Sequence, residues 1–198
     1  GEGRAKNPYK TKSFFNISGM SYGALSAPAV RALSHGAAMA GCWMNTGEGG
    51  LSPYHLEGRC DIVFQIGTAN YGVRSKDGKL DDQKLKEVAN HDQVKMFELK
   101  LSQGAKPGKG GILPAEKVSA EIAQIRGIEQ GKASISPNRH AQVNSVTELL
   151  DHINHIRDVT GKPVGFRAVF GSFGWLDEMC KEIKKRGVKS APDFITCL

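Results

Sequence analysis

Short apolar runs that end in glycine-rich, polar loops recur along this chain, most of them followed by a helical pattern. This alternation constrains the fold more than any other feature. The FFNI run at 14–17 predicts a short buried strand leading into the turn Ser18-Gly19-Met20-Ser21-Tyr22-Gly23. Ser26 is placed as an N-cap with Pro28 in the first turn of a helix. Val30, Leu33, Ala37 and Ala40 share one face of that helix, which Gly41 ends. A second strand at 42–45 runs into Thr46-Gly47-Glu48-Gly49-Gly50. A third strand at 61–68 is followed by a charged surface helix at 76–87, and a fourth at 94–101 by a glycine-rich loop at 104–111. A helix at 118–125, a minimal fifth strand at 133–136, a sixth at 164–170, a helix at 176–185 and a last strand at 193–197 complete the order. The clearest helix is 146–159. Ser145 and Glu148 make an S-x-x-E capping box, Val146, Leu149, Leu150, Ile153, Ile156 and Val159 form one stripe, and Gly161 supplies the C-cap.

Strand, loop and helix in repetition argue for an α/β fold with parallel strands. In a (β/α) barrel the loops after the strands gather at one face, where the active site sits. A doubly wound sheet is the alternative, but no G-x-G-x-x-G turn follows the first strand. A complete barrel takes about 250 residues and this chain has 198. The expectation is an incomplete (β/α)8 barrel of the TIM type with about the first six strands. Residues 1–12 would be a polar N-terminal arm and 13–198 the partial barrel domain. Gly1 is not an initiator methionine, so residues are expected upstream of it.

The formal net charge of +7 raises a nucleic-acid partner, but the charge is not clustered. In the densest patch Lys181, Lys184, Lys185, Arg186 and Lys189 alternate with Asp177, Glu178 and Glu182. That pattern is a solvated helix face with pairs such as Asp177 to Lys181, so no nucleic-acid partner is expected. Attraction for an anionic ligand is a milder reading of the excess. Cys42, Cys60, Cys180 and Cys197 form no CxxC pair and no metal-ligand spacing. Reduced core thiols in a cytoplasmic protein are the expectation. No apolar stretch approaches a membrane span.

Glycine-rich loops after strands let backbone N–H groups approach an anionic or polar ring edge, although they also serve simply to turn the chain. His152 and His155 stand three apart, a spacing that can ligate metal. No carboxylate or cysteine completes a set, so a surface pair is expected and no metal site. His140 ends the SPNRH turn and is open to a structural or a functional reading. No G-x-S-x-G elbow and no H-E-x-x-H motif are present. Arg167 lies inside an apolar strand, where an unpaired cation facing a dry core is costly. A barrel mouth facing an anionic ligand would satisfy it, as would a structural salt bridge, and Lys100 poses the same choice.

The stretches ISGMSYGALS, NTGEGG, QIGTANYGV, KLSQGAKPGKGGILP, ISPNRH and GKPVGFRAVFG together resemble the FMN-binding domain of the glutamate synthase family, particularly its short, stand-alone members. They stand in the family's order and cover nearly the whole chain from Asn7 onward. The resemblance implies a (β/α) barrel holding FMN at the strand carboxyl ends, with hydride passing to 2-iminoglutarate, formed from 2-oxoglutarate and ammonia, to give glutamate. By position, Gly19, Met20 and Ser21 would lie along the isoalloxazine ring. Asn45, Thr46 and Glu48 would lead toward flavin and substrate, and Gln65 would hydrogen-bond the ring. Lys100 would oppose charge that builds on reduction. Glu48, Lys100 and Arg167 are the catalytic candidates.

Three departures from the family pattern stand out. The family usually has lysine where Arg167 stands, which changes reach and geometry at constant charge. Glycine-rich phosphate loops beyond the last strand are absent, as are the three clustered cysteines that hold an iron–sulfur cluster in the large enzymes. A ferredoxin or reductase subunit would supply electrons, and ammonia would come from another source. Self-association, or a missing C-terminal part, would cover the open barrel. A related FMN barrel with another acceptor and a non-catalytic fragment are the rival readings.

Overall fold

The structure is a computed structural model that describes residues 3–104 and 108–197. Part of the QGAKPGKGG motif, residues 105–107, lies outside the described residues. The elements are α1 (Ala27–Ala40), β1 (Trp43–Asn45), α2 (Pro53–Glu57), β2 (Asp61–Ile66), α3 (Asp82–Ala89), β3 (Val94–Lys100), β4 (Ile112–Leu113), α4 (Ala120–Arg126), β5 (Ser134–Ile135), α5 (Val146–Thr160), β6 (Val164–Ala168), α6 (Gly174–Arg186) and β7 (Ile195–Cys197). Five strands form one parallel sheet in the order β1-β2-β3-β6-β7. Spatial order follows chain order, as in a barrel. A doubly wound sheet would reverse direction at a switch point. The sheet curls into a half-barrel.

The two faces of the strands differ in chemistry because side chains alternate along a strand. Met44, Ile62, Phe64, Ile66, Phe97, Leu99, Val164, Phe166 and Ala168 turn outward into one core with Val30 and Ala37 of α1, Leu85 of α3, Leu149, Ile153 and Ile156 of α5 and Met179 of α6. Phe64 and Phe97 meet edge to face at 5.7 Å across neighbouring strands. Burying each such ring contributes roughly 1.5–3 kcal/mol. The alternate positions Asn45, Gln65, Glu98, Lys100, Gly165, Arg167 and Thr196 make the opposite, concave face. Register places Gln65 beside Glu98, Glu98 beside Gly165 and Lys100 beside Arg167, and Arg167 beside Thr196.

Helix ends follow local chemistry. Ser145 accepts from the Glu148 N–H and Gly161 closes α5 in the left-handed conformation. Glu148 reaches back one residue further than a capping box requires, to the Asn144 N–H at 2.7 Å. On α6 Glu182 pairs with Arg186 at 2.7 Å and with Lys185 at 3.8 Å, and Arg186 also joins Asp151, whereas the expected Asp177–Lys181 pair is not among the ion pairs of the described residues.

Residues 14–17 do not form a buried strand. Phe14 and Phe15 are exposed, at 102% and 88%, and only Ile17 bridges to Met44. The Ser13 hydroxyl bonds both the N–H and the C=O of Phe15, and such local side-chain bonds divert the backbone from a ladder. The expected fifth strand is not part of the barrel sheet either. Ser134–Ile135 pairs antiparallel with Ile112–Leu113, and this ribbon shares a small core of Leu113, Val118, Ile122 and Ala123 with α4. The parallel sheet therefore has five strands plus the Ile17 bridge. The cysteines are free, but Cys60 alone is buried, while Cys180 and Cys197 are exposed rather than in the core. No described helix is long and apolar enough to cross a membrane.

Candidate functional site

Four segments that follow strands or the Ile17 bridge converge at the carboxyl end of the sheet. The Met20 N–H donates to the Asn45 carbonyl at 3.1 Å, which joins the Gly19-Met20-Ser21 turn to β1. Gly47 allows this approach. It adopts φ +65°, and a Cβ there would stand 2.8 Å from the Ser21 nitrogen. The neighbouring Gly19 leaves bare backbone beside Asn45 and Gln65, since a Cβ there would be 3.3 Å from Asn45 Oδ1 and 3.5 Å from Gln65 Nε2. Gly19, Ser21, Asn45, Gly47 and Gln65 are thus one surface.

Glu98 organises the floor of that surface. The Asn45 Nδ2 donates to Glu98 Oε1 at 2.9 Å and the Gln65 Nε2 to the same oxygen at 2.6 Å. Thr196 Oγ1 donates to Oε2 at 2.6 Å. Thr46 is fully buried. Its hydroxyl donates to the Gly47 carbonyl and accepts from the Gln65 N–H, so it braces β1 against β2.

Above the floor, Glu48 and Lys100 meet. Lys100 Nζ is 3.3 Å from Glu48 Oε2 and donates to Gln103 Oε1 at 2.8 Å. Gln103 Nε2 in turn lies 2.8 Å from both Glu48 oxygens. Glu48 reaches this position because Gly67 has no side chain, for a Cβ there would fall 2.6 Å from the Cβ of Glu48. Arg167 Nη1 donates to Ser18 Oγ at 3.1 Å, while its buried Nε has no hydrogen-bond partner among the described residues. Glu48, Lys100 and Arg167 therefore share one end of the sheet, with Lys100 and Arg167 on adjacent strands.

Two groups at this end gave no sequence signal. His55 is fully buried. Its Nε2 donates to the Met20 carbonyl at 2.8 Å, and its Nδ1 accepts from the Ser52 N–H at 3.1 Å. Burial lowers its pKa, although the Met20 carbonyl favours the charged form. The ring thus fixes the backbone of Met20 in the turn beside β1. Arg126, at the end of α4, lies over the Tyr71 ring at 5.2 Å and donates to Ser134 Oγ at 3.1 Å. Burial lowers its pKa, and Tyr71 and Glu48 oppose that. Its Nε is buried without a hydrogen-bond partner among the described residues. A cavity of about 130 Å³ is lined by Ser21, Glu48, Tyr71, Gly111, Arg126 and Ser136. An arginine in the last turn of a helix reads in sequence as a surface cation, and only the packing of α4 against the loops at this end turns it inward.

The two α5 histidines do not form a surface pair. His155 is exposed and bonds Asp82 at 2.8 Å, whereas His152 turns inward, its ring 6.1 Å from that of His140. Among the described residues no cluster of three or more His, Cys, Asp or Glu could hold a metal ion.

A sequence profile described as a conserved region in glutamate synthase matches residues 2–196. The glutamate synthase large subunit-like protein YerD of Bacillus subtilis is 47% identical over 99% of this chain and 37% of its own length. An archaeal-type glutamate synthase [NADPH] of Dehalococcoides mccartyi is 36% identical over 73% of this chain and 26% of its own. The archaeal glutamate synthase [NADPH] of Methanocaldococcus jannaschii is 38% identical over 75% and 27%. The chain spans little more than a third, or less, of the length of these relatives. With its parallel half-barrel and the profile match along nearly its whole length, the chain belongs to the glutamate synthase family.

Proposed function

We propose that this chain forms the ring- and substrate-facing part of an FMN site in an oxidoreductase of glutamate synthase type, reducing 2-iminoglutarate, from 2-oxoglutarate and ammonia, to glutamate. The observation that carries this reading is the concave face. Asn45, Gln65, Glu98, Lys100 and Arg167 take alternate positions on adjacent strands, and Asn45 and Gln65 lie beside the uncovered backbone of Gly19. These residues fit a flat, polar-edged ring. Bare glycine backbone offers a surface for its face, and the side-chain amides offer bonds to its edge. When bound, FMN supplies hydride transfer.

The chain's own contribution is positioning and electrostatics. Lys100, held by Glu48 and Gln103, would supply a cation to oppose the negative charge that reduction adds to a bound flavin. Arg126, with its buried Nε unpaired, and Arg167 suit the carboxylates of a 2-oxo acid, which guanidinium groups bind through paired N–H donors. Glu48 lies between the Lys100 ammonium and the cavity containing Arg126, a place from which a carboxylate can hold an ammonium or iminium group. His55 keeps the Met20 backbone fixed while these charges change. Electrons and ammonia would come from a donor protein, ferredoxin or reductase, and from a separate ammonia source.

Purification of the full-length protein tests this reading. We expect a yellow protein that releases FMN, not FAD, on denaturation. A colourless protein that fails to take up added FMN would overturn it.

A further inference from the structure

We infer that Glu98 is a positioning residue that sets the polarity of the Gln65 amide. Gln65 then presents its carbonyl oxygen to the barrel mouth and selects a ligand with a ring N–H donor at that point. This inference rests on the flavin reading above and names which edge of the ring the floor reads.

The direction is pinned from the main chain. A backbone N–H can only donate, and that of Gly47 donates to Asn45 Oδ1 at 2.9 Å. The Asn45 amide is thereby oriented, and its Nδ2 faces Glu98 Oε1 at 2.9 Å. The same oxygen receives Gln65 Nε2 at 2.6 Å, while Thr196 Oγ1 approaches the other oxygen at 2.6 Å. A carboxylate offers lone pairs alone. Gln65 cannot reverse without losing this bond and setting two oxygens against each other. Glu98 and Gln65 are each 2% exposed, so water does not compensate a reversed amide, and an unpaired buried polar group is costly. The chain Gly47 N–H, Asn45, Glu98, Gln65 therefore commits Gln65 Nε2 to Glu98 and leaves Oε1 as the acceptor that remains for a ligand. Gly47 also lies so close to Ser21 that an added Cβ would stand 2.8 Å from the Ser21 nitrogen, which couples this polarity to the Gly19-Met20-Ser21 turn.

A hydrogen-bond acceptor at that position matches the imide N–H of the pyrimidine edge of an isoalloxazine and repels the two carbonyls that flank it. Glu98 has a second consequence. A buried carboxylate under the ring disfavours added negative charge and opposes Lys100, which stands two residues on along the same face of β3.

The test uses the full-length protein, stripped of flavin, with FMN and 3-methyl-FMN as probes. Methylation removes the imide donor and keeps the rest of the cofactor. We expect wild-type protein to bind 3-methyl-FMN about tenfold or more weakly than FMN. In Glu98→Gln the amide can face Gln65 either way, so the discrimination should shrink. The midpoint potential of bound FMN should move to more positive values as the buried charge is removed. The wild-type comparison needs no variant and stands even if Glu98→Gln folds poorly, which circular dichroism would reveal. Equal binding of the two flavins by wild-type protein overturns the inference, as does a folded Glu98→Gln with unchanged discrimination and potential. Both outcomes leave the flavin reading intact. Absence of FMN binding by wild-type protein overturns both.

Discussion

The imidazole Nε2 of His140 lies 3.0 Å from the main-chain carbonyl of Lys100, so a buried histidine holds the backbone of the lysine that faces Glu48. A carbonyl can only accept, so Nε2 carries the proton. The Nδ1 is buried without a hydrogen-bond partner among the described residues, as is Nε2 of the neighbouring His152.

This arrangement predicts an acid-sensitive fold. Burial pushes both imidazoles down to about 4. The folded state keeps them neutral while the unfolded chain takes up protons below about 6.5. Stability is fully present above that pH and is lost as pH falls toward 4, by up to about 3 kcal/mol for each histidine. We expect the thermal midpoint to drop between pH 7 and pH 4.5. His140→Gln, which keeps a donor for the Lys100 carbonyl, should show a shallower drop. An equal drop in the variant would remove His140 as the cause.

Asp193 ties β6 to the N-terminal segment. Its carboxylate accepts from the Val164 N–H at 2.8 Å, from Arg157 Nε at 2.8 Å and from Arg4 Nε at 2.9 Å. Burial alone would raise its pKa, but the Val164 amide and Arg157 hold it below the usual value. Asp193→Ala leaves the 5%-exposed Arg157 without its carboxylate. We expect a loss of about 3–5 kcal/mol, read by chemical denaturation. A loss below about 1 kcal/mol would show that the main-chain carbonyls around Arg157 suffice.

Arg167→Met in the full-length protein tests the substrate-side charge. Its Ser18 contact is one hydrogen bond, so folding should be largely kept. Reoxidation of bound flavin by 2-oxoglutarate plus ammonia should fall by about 1.5–3 kcal/mol, roughly ten- to a hundredfold. Unchanged kinetics would take Arg167 out of the site.

Gly47→Ala tests the coupling of the two ring-side segments. The left-handed backbone costs a residue with a Cβ roughly 1–2 kcal/mol, and the added carbon would stand 2.8 Å from the Ser21 nitrogen. We expect lower thermal stability together with weakened FMN uptake. A stable variant with normal uptake would show that the Gly19-Met20-Ser21 turn can shift without consequence.

The sequence by itself determined what depends on neighbours along the chain. Helix α5 starts at Ser145 and stops at Gly161 because capping and stripe are local patterns. Apolar runs ending in glycine-rich loops pointed to parallel strands, and the family motifs made Glu48, Lys100 and Arg167 the catalytic candidates. The tertiary structure decided the rest, where a residue's role depends on what approaches it from far along the chain. Residues 133–136 read as a strand, but their partner is the antiparallel segment at 112–113. Phe14 and Phe15 read as buried, but Ser13 turns the backbone away from a ladder. His55 and Arg126 carry no motif, and only the folded chain brings one to Met20 and the other over Tyr71. Glu98 alternates with apolar neighbours as any strand residue could. Its place as the shared acceptor of Asn45, Gln65 and Thr196 exists because curling the sheet brings three strands around one carboxylate.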